Sequence, residues 1–415
     1  MLGLMLAALV KEGTLRVTFP GGSTRVFGSG SAPHAGFRLT RNGTALRLAL
    51  QPDLAFGEAY MDGTLIPENC GIADVLRVLL VNLGQSRTPF AMRVKKVFER
   101  RWRRFAQFNP AGRSRRNVAH HYDLDAKLYD LFLEPDRQYS CAYFESQEAS
   151  LETAQAAKKR HIEAKLKLDR KGLKILDIGS GWGGLGLELA RDYGCEVLGI
   201  TLSTEQIAIA KARAENAGLS GRCRFELKDY RAVEGPFDRI VSVGMFEHVG
   251  VTQFDTFFGK VRDLLTPDGI ALLHTIGRTG VPGTSNRWVT KYIFPGGYAP
   301  ALSETVSAIE RQGIIVTDVE VLRLHYAETL KKWRERFMAQ RDKAAALYDE
   351  RFCRMWEFYL AVFEMSFRHD NLVVHQIQLA KRLDTLPMTR DYMVDEERAR
   401  RLSSRERNSR AHEAA

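Results

Sequence analysis

Cysteine is scarce in this chain of 415 residues: Cys70, Cys141, Cys195, Cys223 and Cys353 are odd in number and form no framework. That argues against a disulfide-stapled secreted scaffold and for a reducing cytoplasm. Metal-ligand spacings such as CxxC or HExxH are absent, so no metal site is expected. Long apolar runs are missing too. The opening MLGLMLAALV reaches Lys11 after ten residues, without a basic leader or a cleavage site. It is too short to cross a bilayer and does not read as a signal peptide, which leaves an interfacial or dimer-contact helix. No internal repeat is present. What the chain does have is 45% hydrophobic residues, enough to bury a full α/β domain and leave about a hundred residues for another.

The most informative stretch is LDIGSGWGG at 176–184, preceded by a short buried-strand run from Lys174 to Ile178. Gly179, Gly181, Gly183 and Gly184 let the backbone approach a ligand that no side chain could share space with, so a nucleoside-type cofactor belongs there. The spacing also satisfies GxGxxG, and the turn alone does not separate a nicotinamide cofactor from S-adenosylmethionine. The next strand, Glu196 to Ile200, lacks the acid that a dinucleotide enzyme places at its end; Thr201, Leu202 and Ser203 stand there instead. Ser203 and Gln206 read as a capping box opening a helix to Ala217. Thr201 and Gln206 would also face a ribose. A third strand, Cys223 to Leu227, is followed by Asp229 and Tyr230, a carboxylate and a ring placed for an adenine, although Asp229 alone reads equally well as a loop acid.

Two further strands bring less common chemistry. Phe237 to Val243 runs into Gly244-Met245-Phe246-Glu247-His248, and Ile270 to Leu273 runs into His274-Thr275-Ile276. In an open α/β sheet the strand tips converge on one crevice, gathering Glu247, His248 and His274. A lone histidine at such a tip is as often structural as catalytic; an acid at the neighbouring tip favours chemistry.

Together with YSCAYF at 139–144, GITLSTEQ at 199–206, GMFEHVG at 244–250, LLHTIG at 272–277, KYIFPGG at 291–297 and HYAETLKKW at 325–333, the glycine turn resembles the cyclopropane fatty acid synthase family, which includes the mycolic acid cyclopropane synthases. The motifs keep family order across residues 117–381, far more specific than any one of them. The resemblance implies an α/β fold of the class I S-adenosylmethionine methyltransferases, Rossmann-like with a seven-stranded sheet, behind a smaller mixed α/β N-terminal domain. It also implies a cyclopropane-fatty-acyl-phospholipid synthase, which adds a methylene from S-adenosylmethionine across a cis double bond of a phospholipid acyl chain. Cofactor contacts would come from Tyr139, Ser140, Gly179, Gly181, Trp182, Gly183, Thr201, Leu202, Gln206, Asp229 and Tyr230. In this family the base is a bound bicarbonate, and its cradle matches Cys141, Glu247, His274, Ile276 and Tyr326, with Cys141, Glu247, His274 and Tyr326 as the catalytic set. Tyr122 would line the mouth of the site.

An isolated alkene is a weak nucleophile, so such an enzyme must align it with the sulfonium methyl and exclude water. Cys141, His274 and Tyr326 can donate to an anion from side chains and Ile276 from its backbone, while Glu247 can accept the bicarbonate hydroxyl. Cys141 has no electrophile to attack in an alkene; a free cysteine is otherwise most often a small buried hydrophobe. The alternatives are a fatty acyl methyltransferase giving a methyl-branched or methylene product, a lipid-binding protein with a vestigial centre, and a nicotinamide oxidoreductase. The intact catalytic set argues against the vestigial centre and the missing ribose acid against the oxidoreductase.

Around this core the chain divides at 1–92, 93–116, 117–388 and 389–415. Thr14 to Phe19 and Thr24 to Phe27 read as a hairpin, with further strand pattern at Gly36 to Thr40 and Leu46 to Leu50. LAFGEAYMDG at 54–63 is again similar to the family, and the resemblance implies a lipid-handling or homodimerisation role for this N-terminal domain; a packing or oligomerisation module fits its residues as well. Residues 93–116 hold ten Lys or Arg against Glu99 alone, interleaved with Phe98, Trp102, Phe105 and Phe108. That composition suits nucleic acid, anionic lipid heads or a solvated linker that keeps the protein soluble. A substrate buried in a bilayer favours lipid, each cation contributing ~1 kcal/mol near the surface. The net charge of +11 agrees, and a cytoplasmic protein peripherally attached to an anionic membrane, with no nucleic acid partner, is expected. Arg278 to Pro300 would cover an acyl tunnel, Ser303 to Gln312 forms a helix, Ile315 to Leu324 a strand, and Leu372 to Leu379 the edge strand. The Arg- and Glu-rich tail from Thr389 should fray.

Overall fold

The computed structural model describes residues 1–85 and 125–413. The basic segment at 93–116 and Tyr122 lie outside the described residues.

The N-terminal region runs α1 (Leu2–Leu9), β1 (Thr14–Thr18), β2 (Thr24–Gly28), β3 (His34–Leu39), α2 (Asn42–Leu50), α3 (Pro52–Met61), β4 (Leu65–Pro67) and α4 (Ile72–Gln85). Its sheet has the order β2-β1-β3-β4, with the expected β1–β2 hairpin antiparallel and β3 parallel to β1. The opening apolar run is helical and turns Leu2 and Leu6 into the core, leaving Leu4 exposed. The strand pattern at Leu46 to Leu50 is overturned. Those residues belong to α2, where Thr44 and Leu48, four apart, form the buried stripe and Pro52 then opens α3.

The second region begins with α5 (Ala126–Asp130) and α6 (Leu151–Leu166). It continues through β5 (Lys174–Ile178), α7 (Gly184–Tyr193), β6 (Glu196–Thr201), α8 (Thr204–Asn216), β7 (Cys223–Leu227), β8 (Phe237–Val243), α9 (Phe254–Leu264) and β9 (Leu265–Arg278). It closes with α10 (Arg287–Tyr292), α11 (Leu302–Arg311), β10 (Ile315–Leu322), α12 (His325–Ala339), α13 (Arg341–Leu347), α14 (Glu350–His369), β11 (Leu372–Ala380) and α15 (Asp391–Glu413). Seven strands form one sheet in the order β10-β11-β9-β8-β5-β6-β7, all parallel except β11. The fold is the expected class I methyltransferase architecture. Because the order reverses on either side of β5, a crevice opens beyond the carboxyl ends of β5 and β8.

Three sequence expectations shift. The strand at 372–379 is internal: β11 pairs with both β9 and β10, and β10 is the edge. The fifth strand of the large sheet extends well beyond Ile270 to Leu273, because β11 pairs along it from Ile270 to Arg278. The tail does not fray but forms α15, whose Glu397 meets His161 of α6.

Strand β5 shows how the sheet is clothed: Leu176 and Ile178 face the layer of α9 and α11, and Ile175 the layer of α6, α7 and α8. The N-terminal region shares a continuous core with the helices after β10. Phe56 of α3 packs 6.0 Å from Phe358 of α14, and Tyr60 donates to Glu357 at 2.8 Å. The segment between β9 and α11 is pinned into this seam by Trp288, edge-on to Phe358 at 4.7 Å. Lys291 and Tyr292 add bonds to Glu58 at 2.7 and 2.9 Å.

Gly57 makes the seam sterically feasible, since a Cβ on it would fall 2.4 Å from the Trp288 indole nitrogen. Gly57→Ala should therefore destabilise by about 1–3 kcal/mol through overpacking, against the ~1 kcal/mol gain that alanine brings to an exposed helix position. Thermal denaturation reads the sign; a raised Tm would show the indole free to move.

Candidate active site

The glycine turn leaves β5 and enters α7 at the crevice. Gly181 has φ of 54° and open space where a Cβ would project, as a ligand-facing position requires. Gly183 serves packing instead: its Cβ would meet Phe225 at 2.6 Å, and it does not line the cleft. The other ten residues expected at the cofactor do line a cleft of about 130 Å³: Tyr139, Ser140, Gly179, Gly181, Trp182, Thr201, Leu202, Gln206, Asp229 and Tyr230.

Thr201, at the end of β6, donates to Gln206 Oε1 at 2.9 Å, and the Ser203 hydroxyl accepts from the Gln206 amide at 3.3 Å. The Ser203 half of the capping box thus forms, while the Gln206 side chain turns to Thr201 and the cleft. Asp229 combines its two readings: it lines the cleft, and its carboxylate caps the following turn by accepting from the Arg231 amide at 3.0 Å.

Two buried charged residues of this cleft, Lys158 and Asp177, escaped the sequence reading. Lys158 is fully buried and donates to Gln138 Oε1 at 2.6 Å and to Ser140 Oγ at 2.9 Å, so it fixes the YSCAYF loop from below. Burial pulls its ammonium down to about 8, with Glu134 and Asp136 opposing. Asp177, also buried, is pushed up to about 7 by desolvation, eased by Lys158. The signal for Lys158 was a cation on the stripe Leu151, Ala154, Lys158, Ile162, where a helix otherwise turns apolar residues inward.

A larger cavity of about 570 Å³ adjoins the cleft, within the ~300–1,000 Å³ range of small-molecule sites. Tyr139, Ser140, Gly244 and His248 line both. All five residues expected to cradle an anion line the larger one: Cys141, Glu247, His274, Ile276 and Tyr326. They arrive from a loop before α6, the tip of β8, β9 and the start of α12. Much of the remaining wall is the segment between β9 and α11, with Leu80 and Leu83 of α4 and Phe363 of α14. Leu83 and Val281 are exposed as well as lining, which marks the mouth. Among the described residues no helix is long and apolar enough to cross a membrane.

Glu247 is the unusual group. Its Oε1 accepts from the Ile276 amide at 2.5 Å, and its Oε2 is buried without a hydrogen-bond partner among the described residues. The Ile276 donor is thereby engaged with Glu247, so it orients the carboxylate. Desolvation pushes Glu247 up to about 7 despite that bond. Cys141 donates to the Ala142 carbonyl at 3.3 Å, and burial drives its thiol far above the thiolate range, leaving a neutral S–H. Burial keeps His274 and His248 neutral. The cavity therefore offers weak neutral donors around one carboxyl of adjustable charge.

Sheet order, glycine turn and paired chambers define the class: an S-adenosylmethionine-dependent methyltransferase of class I with a second chamber beside the donor cleft. A model described as mycolic acid cyclopropane synthetase matches residues 110–377, and the chain belongs to that family. A cyclopropane-fatty-acyl-phospholipid synthase of Escherichia coli is 36% identical over 85% of this chain and 89% of its own length. A probable fatty acid methyltransferase of Pseudomonas putida is 40% identical over 66% of this chain and 73% of its own. The crystal structure of a mycolic acid cyclopropane synthase complexed with SAH and CTAB superposes with a TM-score of 0.61, at 33% identity, covering 66% of this chain and 99% of that one.

The raised Glu247 carboxyl has a stability consequence with a definite sign. Between about 4.5 and about 7 the unfolded chain has lost this proton and the folded one has kept it, so stability falls across that window and levels off above it. Glu247→Gln should remove the fall, gaining on wild type by up to about 3 kcal/mol between pH 5 and 8. Chemical denaturation at several pH values measures this; a constant difference would mean an ordinary carboxyl.

Proposed function

We propose that the chain is a cyclopropane-fatty-acyl-phospholipid synthase acting on unsaturated phospholipid acyl chains, with S-adenosylmethionine in the smaller cleft and bicarbonate beside the acyl chain in the larger cavity. The observation that carries it is the meeting of the two chambers at Tyr139, Ser140, Gly244 and His248, with Glu247, Cys141 and His274 in the second. The extended similarity to the Escherichia coli synthase supports the same substrate class.

The residues fit the groups they would hold. S-adenosylmethionine would supply an electrophilic methyl; Thr201 and Gln206 would meet its ribose, and Tyr139 and Ser140 its methionine end. Bound bicarbonate would supply the base that removes a proton from the transferred methyl as the ring closes. His274 and Tyr326 would direct donors at the anion, and Cys141 would join them by turning its S–H from the Ala142 carbonyl. Glu247, oriented by Ile276, would take its hydroxyl proton into a hydrogen bond at the vacant Oε2, fixing which oxygen faces the substrate. The walls exclude water from the cation that methylation leaves on the acyl chain, so the ring proton has one acceptor and no competing nucleophile.

Docking to an anionic membrane surface is part of the reading. Its supports are the exposed apolar mouth at Leu83 and Val281 and the net charge of +11. The N-terminal domain acts in it as a wall and entrance for lipid, through Leu80 and Leu83 of α4. A second reading, a methyl-branched or methylene product, draws on the Pseudomonas putida relative.

Protein mixed with S-adenosylmethionine, bicarbonate and unsaturated phospholipid vesicles should add one CH₂ per acyl chain with loss of the alkene signal. Strongly upfield ring protons in the NMR spectrum identify cyclopropane, and their absence from a methylated product favours the second reading; unchanged lipid would sink both. Glu247→Gln should lower kcat about 100-fold or more while S-adenosylmethionine binding, measured by calorimetry, changes by less than about twofold. Turnover should fall in bicarbonate-depleted buffer and return on adding it. Indifference to bicarbonate would remove that base from the scheme.

A further inference from the structure

His274 faces the cavity from β9, and the residue directly across from it on β11 is Gln376, completely buried. The Gln376 side-chain nitrogen lies 3.0 Å from His274 Nδ1. An amide can present either end, so the contact by itself leaves the ring's proton undetermined. Lys165 resolves it. Its ammonium donates to Gln376 Oε1 at 2.7 Å, which turns the oxygen toward α6 and the NH₂ toward His274. An NH₂ group only donates, so Nδ1 must accept, and a neutral imidazole then carries its proton on Nε2.

The cation is itself anchored. Lys165 is also paired with Glu320 of β10, which meets His161 Nε2 at 2.7 Å, and the other nitrogen of His161 meets Glu397 of α15. Opposite charges alternate along Glu397, His161, Glu320 and Lys165, so each buried charge has a partner. The line runs from the C-terminal helix to the active-site histidine, and the site chemistry described above uses none of it beyond His274.

We propose that Lys165 and Gln376 are positioning residues: the Lys165 ammonium sets the amide of Gln376, and that amide locks His274 as the Nε2–H tautomer, holding an N–H donor available to the cavity. Only the catalytic consequence rests on the reading of His274 as a donor to an anion. A network serving stability alone would tolerate either tautomer. This one specifies which ring nitrogen holds the proton.

Two-bond ¹H–¹⁵N correlation spectra of full-length protein labelled at histidine nitrogen report the tautomer directly, with His274→Gln assigning the signal. Wild type should show Nε2–H. Gln376→Glu replaces the donor by an acceptor and should move a proton onto Nδ1. Lys165→Met frees the amide to turn and should populate the Nδ1–H form. Both variants should lower kcat about tenfold or more with the KM for S-adenosylmethionine unchanged. An Nδ1–H signal in wild type, or an unaltered tautomer in Gln376→Glu, overturns the proposal. The wild-type spectrum decides even where a variant fails to fold. A shifted tautomer with undiminished turnover upholds the positioning and overturns the donor role of His274.

Discussion

The pairing of β5 with β6 on one side and β8 on the other is the constraint on which the rest of the molecule depends. Parallel strands need crossover helices, and because the chain winds from β5 out to β6 and β7 and then returns to β8 on the other side of β5, no crossover covers the carboxyl ends of β5 and β8. The gap must be walled by what the strand tips carry. It takes the glycine turn from β5, Thr201 from β6, Glu247 just past β8 and His274 from β9, residues far apart in sequence held by one hydrogen-bonded register.

Within that gap the energetics run against stability. Glu247, Asp177 and Lys158 are buried with their charged forms disfavoured by desolvation, and a well-packed apolar core would be more stable. What the molecule obtains is a set of poised groups. A carboxyl shifted to about 7 exchanges its proton near neutrality, and the hydrogen bond from Ile276 holds its Oε1 while Oε2 is buried without a partner among the described residues. In a medium of low dielectric, a donor from Cys141 or His274 counts for more than it would in water. The same low dielectric makes each misplaced proton costly, and a buried lysine and glutamine are well suited to fixing the proton on His274.

The second chamber is an assembly from three parts of the chain. Helix α4 and the rest of the N-terminal region would make a meagre core alone; their burial is completed by α14 and by Trp288. The chamber wall, its mouth at Leu83 and Val281 and the fold's stability are therefore parts of one packing arrangement, and at Gly57 the backbone leaves no room for a Cβ beside the indole.

Local features of the sequence were legible because the forces behind them are local. Short apolar runs located β5 to β8 almost to the residue, and turn chemistry located the glycines. Residues at strand tips followed from the fold's crevice rule, and the motifs of the cyclopropane synthase family supplied their roles. Where the reading failed, the deciding partner lay far along the chain. The run at Leu46 to Leu50 is too short for period to separate strand from helix, and the core facing Leu48 chose helix. The place of β11 inside the sheet, the docking of α15 and the bond from Ile276 to Glu247 depend on pairings across many residues. Lys158 and Gln376 look unremarkable in sequence, because a buried polar group declares itself only through what surrounds it. Sequence by itself determined the order of most elements, the glycine turn of the donor cleft and the residues that stand at the strand tips. Tertiary structure alone decided which of them face a common cavity, which are stripped of water and where their protons lie, since desolvation and hydrogen-bond direction are properties of the packed neighbourhood.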